Sequence, residues 1–141
     1  MGEGPSHDAV VAALERRIGR YLQLYPVGRL HVVPQELRFA DGTVVEPDLF
    51  VVPSGGGPPL LAGEVMAPAT RRADRVVKRA LYQRHRVAEY WILDADAALL
   101  ERWRPDDTRP EVLDETVEWR PDPGRPMLVI DLPRFFAEAG K

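Results

Sequence analysis

The chain has 141 residues, a net charge of −3, 45% apolar and 29% charged residues, and no cysteine. Its length suits one domain and leaves little room for a second, and its composition is that of a globular chain, not a disordered or fibrous one. The lack of cysteine excludes disulfides, thiolate zinc sites and cysteine nucleophiles together, and it suits a reducing, cytoplasmic setting.

A chain of this size buries roughly 68% of its unfolded surface, enough for a core without a metal or disulfide staple. The first six residues, Met1 to Ser6, are polar and contain Gly and Pro, so no signal peptide is visible. No apolar stretch approaches the ~20 residues of a membrane span. The expectation is a single cytoplasmic domain over residues 1–141, away from any membrane. The net negative charge argues against general coating of DNA, but the basic residues are unevenly placed.

In chain order, Val11, Leu14, Ile18 and Leu22 recur at helical spacing and predict an amphipathic helix from Ser6 to about Leu24. Ser6 is its N-cap, and Pro26 and Gly28 end it. Strands are expected at Leu30–Val33, Leu37–Phe39, Val44–Val45 and Leu49–Val52, with a hairpin turn at Asp41-Gly42. Ser54 to Pro59 is a loop, and Leu60 to Met66 an apolar strand carrying one carboxylate. Thr70 to about Arg86 predicts a second helix, followed by a buried strand, Tyr90 to Leu93. Leu99–Trp103 and Val112–Trp119 read as two further strands, Met127–Ile130 as the strand that closes the sheet, and Leu132–Ala139 as a terminal helix. The order predicts an α/β (α+β) fold, a mixed β-sheet flanked by helices. The segment from the Leu60 strand through the second helix to the Tyr90 strand has the length of a parallel crossover.

Asp48, Glu64 and Lys78 stand out. A carboxylate inside an apolar strand, as Glu64 is, costs free energy unless a metal or a cation pairs with it. Two carboxylates on adjacent strands form a hard oxygen site suited to Mg²⁺ or Mn²⁺, which can activate water and stabilise the leaving oxygen of a phosphodiester. A lysine two residues after such a glutamate would share its side of the strand, but that position is Met66. Lys78 can stand in, because Asp74, Lys78 and Tyr82 follow at four-residue steps on one helical face.

The run Glu46-Pro47-Asp48-Leu49, then Glu64 to Thr70, then Asp74, Lys78 and Tyr82, then Glu89 to Asp94 resembles the Uma2 (DUF820) family of PD-(D/E)XK nuclease-like proteins. The resemblance is tight over Pro47–Asp94 and looser over the first helix and the segment Ile130 to Phe136. It implies a restriction-endonuclease-like fold with a divalent-metal site at Asp48 and Glu64 and the lysine moved to the helix, at Lys78. The chain departs from the family pattern at Gly63, Ala67, Ala69 and Arg86, and it starts at the first helix, without the acidic hairpin that commonly precedes it.

Each residue also has a plainer reading. Asp48 can be a turn carboxylate, Lys78 can pair with Asp74, and Asp74 can simply favour the helix dipole. Tyr82, Tyr90 and Trp91 fit core positions better than base-stacking ones. Arg71, Arg72, Arg75 and Arg79 belong to a basic run that is either a solvated face or a phosphate guide. His7, His31 and His85 lack ligand spacing and are read as ordinary, while Glu15 and Glu36 are candidate supporting carboxylates. Trp103, Trp119, Phe135 and Phe136 are core residues or the seam of a homodimer. Two readings follow: a Mg²⁺- or Mn²⁺-dependent endonuclease acting on DNA, or an inactive nuclease-derived domain that binds nucleic acid or a protein.

Overall fold

The computed structural model describes residues 4–66 and 72–141, with side chains described from residue 74 onward in the second segment. Helix α1 spans His7–Leu24, with Ser6 Oγ accepting the Ala9 N–H as its N-cap. Strand β1 (Gly28–Val32), the short strands β2 (Leu37–Arg38) and β3 (Val44–Val45), β4 (Leu49–Pro53) and β5 (Leu61–Val65) follow. Helix α2 (Arg72–Arg84) leads to β6 (Tyr90–Asp94) and β7 (Leu99–Trp103), then β8 (Glu111–Leu113), β9 (Thr116–Trp119), β10 (Leu128–Asp131) and helix α3 (Leu132–Ala139). The start of α2 expected at Thr70 lies outside the described residues.

Six strands form the main sheet in the order β1-β4-β5-β6-β7-β8. Its neighbours pair antiparallel except β5 and β6, which run parallel and are joined through α2 as the crossover length predicted. Strand alternation divides the apolar residues between two layers. Leu49, Val51, Leu61, Trp91, Leu93 and Leu100 face α1 and α3, packing with Leu14, Ile18, Phe135 and Phe136. Phe50, Ala62, Tyr90 and Ile92 face the other way, with Tyr82 of α2 and with Leu37 and Phe39 of the small hairpin.

Two expectations fail at the C-terminal end. Val112–Trp119 is not one strand, because a break at Asp114-Glu115 separates β8, which pairs with β7, from β9. Nor does the strand near Met127 close the main sheet, since β10 pairs only with β9 in a separate two-stranded sheet. That ribbon brings Val117, Trp119 and Ile130 onto the α1–α3 core. Apolar content marked the segment as extended, but register chose its partner.

Local chemistry explains two of the departures. Leu14 of α1 packs close over Gly63, where an added Cβ would sit 3.3 Å from Leu49 Cδ1 and 3.8 Å from Leu14 Cδ2, so a larger residue would push the helix and sheet apart. Arg86 has φ of 60° just past the end of α2, the left-handed position where helices favour glycine. Its guanidinium is tied to Asp106 at 2.8 Å.

Candidate active site

Leu49 of β4 pairs with Gly63 of β5 in antiparallel register. Extending that register by one residue sets Asp48 beside Glu64, and alternation points both to the side of the sheet that α2 covers. Two carboxylates separated by fifteen positions of sequence, 49 to 63 inclusive, are thereby brought together by a hairpin.

Both are strongly shielded, with 16% of the Asp48 side chain and 15% of the Glu64 side chain exposed. Glu64 Oε1 accepts a 2.7 Å bond from Lys78 Nζ, and Oε2 accepts one of 2.7 Å from the Tyr90 hydroxyl on the neighbouring strand β6. Lys78 therefore turns to the sheet and pairs with Glu64 instead of its helical neighbour Asp74. Burial first, then the Glu64 charge, raises the Tyr90 pKa, so the hydroxyl stays a donor and fixes the carboxylate's orientation.

Asp48 Oδ2 accepts the Val65 N–H at 2.7 Å, which locks it to the backbone of β5. His7 Nε2 lies 3.0 Å from both Asp48 oxygens, and His7 Nδ1 lies 3.0 Å from Asp8. Burial, the largest single influence, lowers the His7 pKa, but the Asp8 and Asp48 carboxylates together outweigh it and raise the value. The reading of His7 as ordinary is corrected here, because the first residue of α1 reaches the Asp48 carboxylate. No spacing rule could find it, since helix and strand meet only in the folded chain. His31, bonded to Gln35, and His85, stacked on Phe39, are elsewhere.

His7, Glu46, Asp48, Glu64, Lys78 and Tyr90 line one cavity of about 210 Å³, with Met66, Asp74, Arg75 and Ile92 also on its wall. Glu46, Tyr90 and His7 are the members that sequence reasoning missed. Tyr90 is buried as its core reading required, yet its hydroxyl serves the cavity. Glu15 is exposed and Glu36 pairs with Arg38, so neither supports the site as expected. Of the four arginines, Arg71 lies outside the described residues and the Arg72 side chain is not described. Arg75 lines the cavity, and the Arg79 guanidinium lies 4.5 Å from the centre of the Trp103 ring. Trp119, Phe135 and Phe136 are buried in the core, while Trp103 is half-buried.

Among the described residues, no three His, Asp or Glu side chains converge as a ready metal cage. Two shielded carboxylates on one cavity nonetheless fit the way Mg²⁺ is commonly held, by one or two carboxylates plus waters. Each carboxylate retains lone pairs beyond those engaged by its present partners.

A family model for Uma2, described as putative restriction endonuclease, matches residues 1–133. The chain belongs to the Uma2 family. That membership supports nuclease function in general. The crystal structure of a putative nuclease belonging to DUF820 from Anabaena variabilis superposes with a TM-score of 0.77 at 16% identity, covering 94% of this chain and 81% of that one. The likeness shows that the Uma2 chain shares that nuclease's fold. No curated protein matches the sequence. Among the described residues, no helix is long and apolar enough to cross a membrane.

Proposed function

We propose that the chain is a Mg²⁺- or Mn²⁺-dependent nuclease that hydrolyses phosphodiester bonds in DNA, with Asp48 and Glu64 as metal ligands and Lys78 as the catalytic ammonium. The observation that carries this reading is the 2.7 Å contact of Lys78 Nζ with Glu64, inside the cavity that also holds Asp48. A helix lysine delivered to that point restores the charge that Met66 cannot supply.

The cation, when bound, would lower the pKa of a water and offset charge on the phosphate oxygens. The protein does the rest. Lys78 donates hydrogen bonds that orient the attacking water or stabilise charge as the P–O bond to the leaving oxygen breaks. Tyr90 holds Glu64, and the Val65 N–H and His7 hold Asp48, so the two carboxylates keep their spacing without rearrangement. These are positioning residues.

The test is calorimetry with Mg²⁺ and Mn²⁺ on the native chain and on Glu64→Gln, with plasmid cleavage followed on the same samples. Glu64→Gln keeps an acceptor for Tyr90 but loses the charge. Metal binding should weaken sharply, and cleavage should fall by about 10²–10³ or more. A folded native chain that neither binds metal nor cuts would sink this reading. It would favour the second one, an inactive domain that binds nucleic acid or a protein.

A further inference from the structure

A second cavity, of about 370 Å³, lies beside the first. The two share a wall, since Arg75 and Ile92 line both. The far side of the second is built by Arg79, Glu101, Trp103, Thr108 and Pro110. Its volume is that of a ligand-sized site. Nothing in the proposed reaction uses it.

One of its side chains is short of partners among the described residues, and another keeps an aromatic ring at the groove. Arg75 Nε is buried and has no hydrogen-bond partner among the described residues, and its Nη1 meets only Met66 Sδ at 3.9 Å. A buried guanidinium donor left without an acceptor is costly, and a phosphate oxygen is the acceptor whose geometry suits it. Trp103 is half-buried, whereas Trp91 and Trp119 are 0% and 1% exposed. The Trp103 indole N–H donates to Glu101 at 3.1 Å, which fixes the ring at the groove wall. Its accessible partner is Arg79, a cation on an aromatic face.

We propose that this groove is a nucleotide subsite that takes one unpaired base and its phosphate next to the scissile bond, so that the preferred substrate is single-stranded or frayed DNA. The proposal rests on the nuclease reading of the neighbouring cavity. Arg75, on the shared wall, takes the phosphate. Trp103 takes the base by stacking, the base replacing the Arg79 guanidinium over the ring and leaving Arg79 free to swing to the strand's backbone. Glu101 sets the polarity, because its carboxylate repels phosphate from the Trp103 end and leaves the Arg75 end to it. A base within a duplex has both faces covered by its neighbours, so only an unpaired one can reach a tryptophan in a groove. The stacking contact thus selects the strand state.

Trp103 also reports on its own occupancy, being the one tryptophan of the three that is not fully buried. The full chain is titrated in EDTA with a short oligothymidylate, free and annealed to its complement, while tryptophan emission and the anisotropy of a labelled strand are both followed. The single strand should quench the emission and bind more tightly than the duplex. Trp103→Phe, which keeps an aromatic ring in place, should abolish the quench with binding changed only a few-fold. Trp103→Ala should weaken binding by about tenfold or more. Arg75→Gln should weaken it by a similar factor and lower the slope of log affinity against log salt by about one.

Binding by anisotropy without quenching, equal affinity for duplex and single strand, or no binding of the single strand would each overturn the subsite. Because no metal is present, the outcome is independent of cleavage. Metal-dependent cleavage with no quench strikes the subsite alone, and quenching sensitive to Arg75 in a chain that never cuts strikes the nuclease reading alone.

Discussion

Two charged clusters sit on opposite faces of the same sheet, and they have been built differently. On the α1 side, Arg102 of β7 is 6% exposed, and every contact it makes is internal. Its Nε donates to Glu111 at 3.0 Å, and its Nη1 donates to Glu118 O at 2.8 Å and lies 3.4 Å from Glu89. Glu89 in turn accepts the Trp91 indole N–H at 2.8 Å. On the α2 side, Glu64 and Lys78 also pair, but they line a cavity and 47% of the Lys78 side chain is exposed. In the first cluster, buried charge is consumed by neighbours and ties β6, β7, β8 and β9 together. In the second, the partners hold the carboxylates still and leave an open face. A charge in a strand marks chemistry only when its surroundings leave room for a ligand.

That contrast is sharpest if the two clusters fail in different ways. Arg102→Leu leaves Glu89 buried without its cation, and the expected loss of stability is about 3–5 kcal/mol, read from urea unfolding. Metal binding by the folded fraction should not change. A loss below about 1 kcal/mol would mean that the Arg102 cluster is not the structural one. Lys78→Met is the mirror case. Cleavage should drop by about 10²–10³, while stability shifts by no more than about 1 kcal/mol, because Lys78 is half open to water and Glu64 keeps its Tyr90 bond. Plasmid cleavage and urea unfolding on one preparation decide it, and a variant that loses stability but keeps its rate would reverse the assignment.

His7 tests the boundary between the two kinds of cluster. It holds Asp48 from outside the strand pair, as an outer partner would hold that carboxylate under the proposed metal reading. His7→Ala should lower Mn²⁺ affinity by about tenfold in calorimetry, with Ser6 still capping α1. Unchanged affinity would confine His7 to anchoring the first helix.

The halves of the molecule also differed in how far they could be read from sequence. From α1 to β6 the periodicities, the Asp41-Gly42 turn and the crossover length all point one way, and the structure agrees. Asp48, Glu64 and Lys78 were legible because strand alternation and helical four-residue steps each fix a face. His7, Tyr90 and Glu46 were not, since their place at the cavity depends on which elements meet. The β8–β9 break was hidden for a related reason: Asp114 and Glu115 interrupt a segment that is otherwise strand-like, and only its pairing shows that it serves two sheets. Arg102, next to Glu101 in its strand, carried no sequence signal of a buried cluster, because its partners come from residues 89, 111 and 118.

The smallest effect separates the two carboxylates that Arg102 holds. The Arg102 bond, assisted by Arg104 and opposed by burial, lowers the Glu111 pKa. Burial raises that of Glu89 against the Trp91 and Arg102 bonds. For Glu111 the folded value lies below the unfolded 4.5, so its contribution is present above that pH and is lost as the pH falls through the folded value. For Glu89 the sign is reversed: the fold favours the protonated acid, and that contribution fades as the pH rises past 4.5 through the folded value. The two partly cancel in the acid range. Glu111→Gln removes one side of the balance, so stability should fall less steeply below pH 4.5 than in the native chain. The difference should stay under about 1 kcal/mol, because 44% of the Glu111 side chain is exposed and its ion pairs are screened. Urea midpoints measured across that range would show it, and a steeper acid loss in the variant would mean that Glu111 is not the residue Arg102 holds in its charged form.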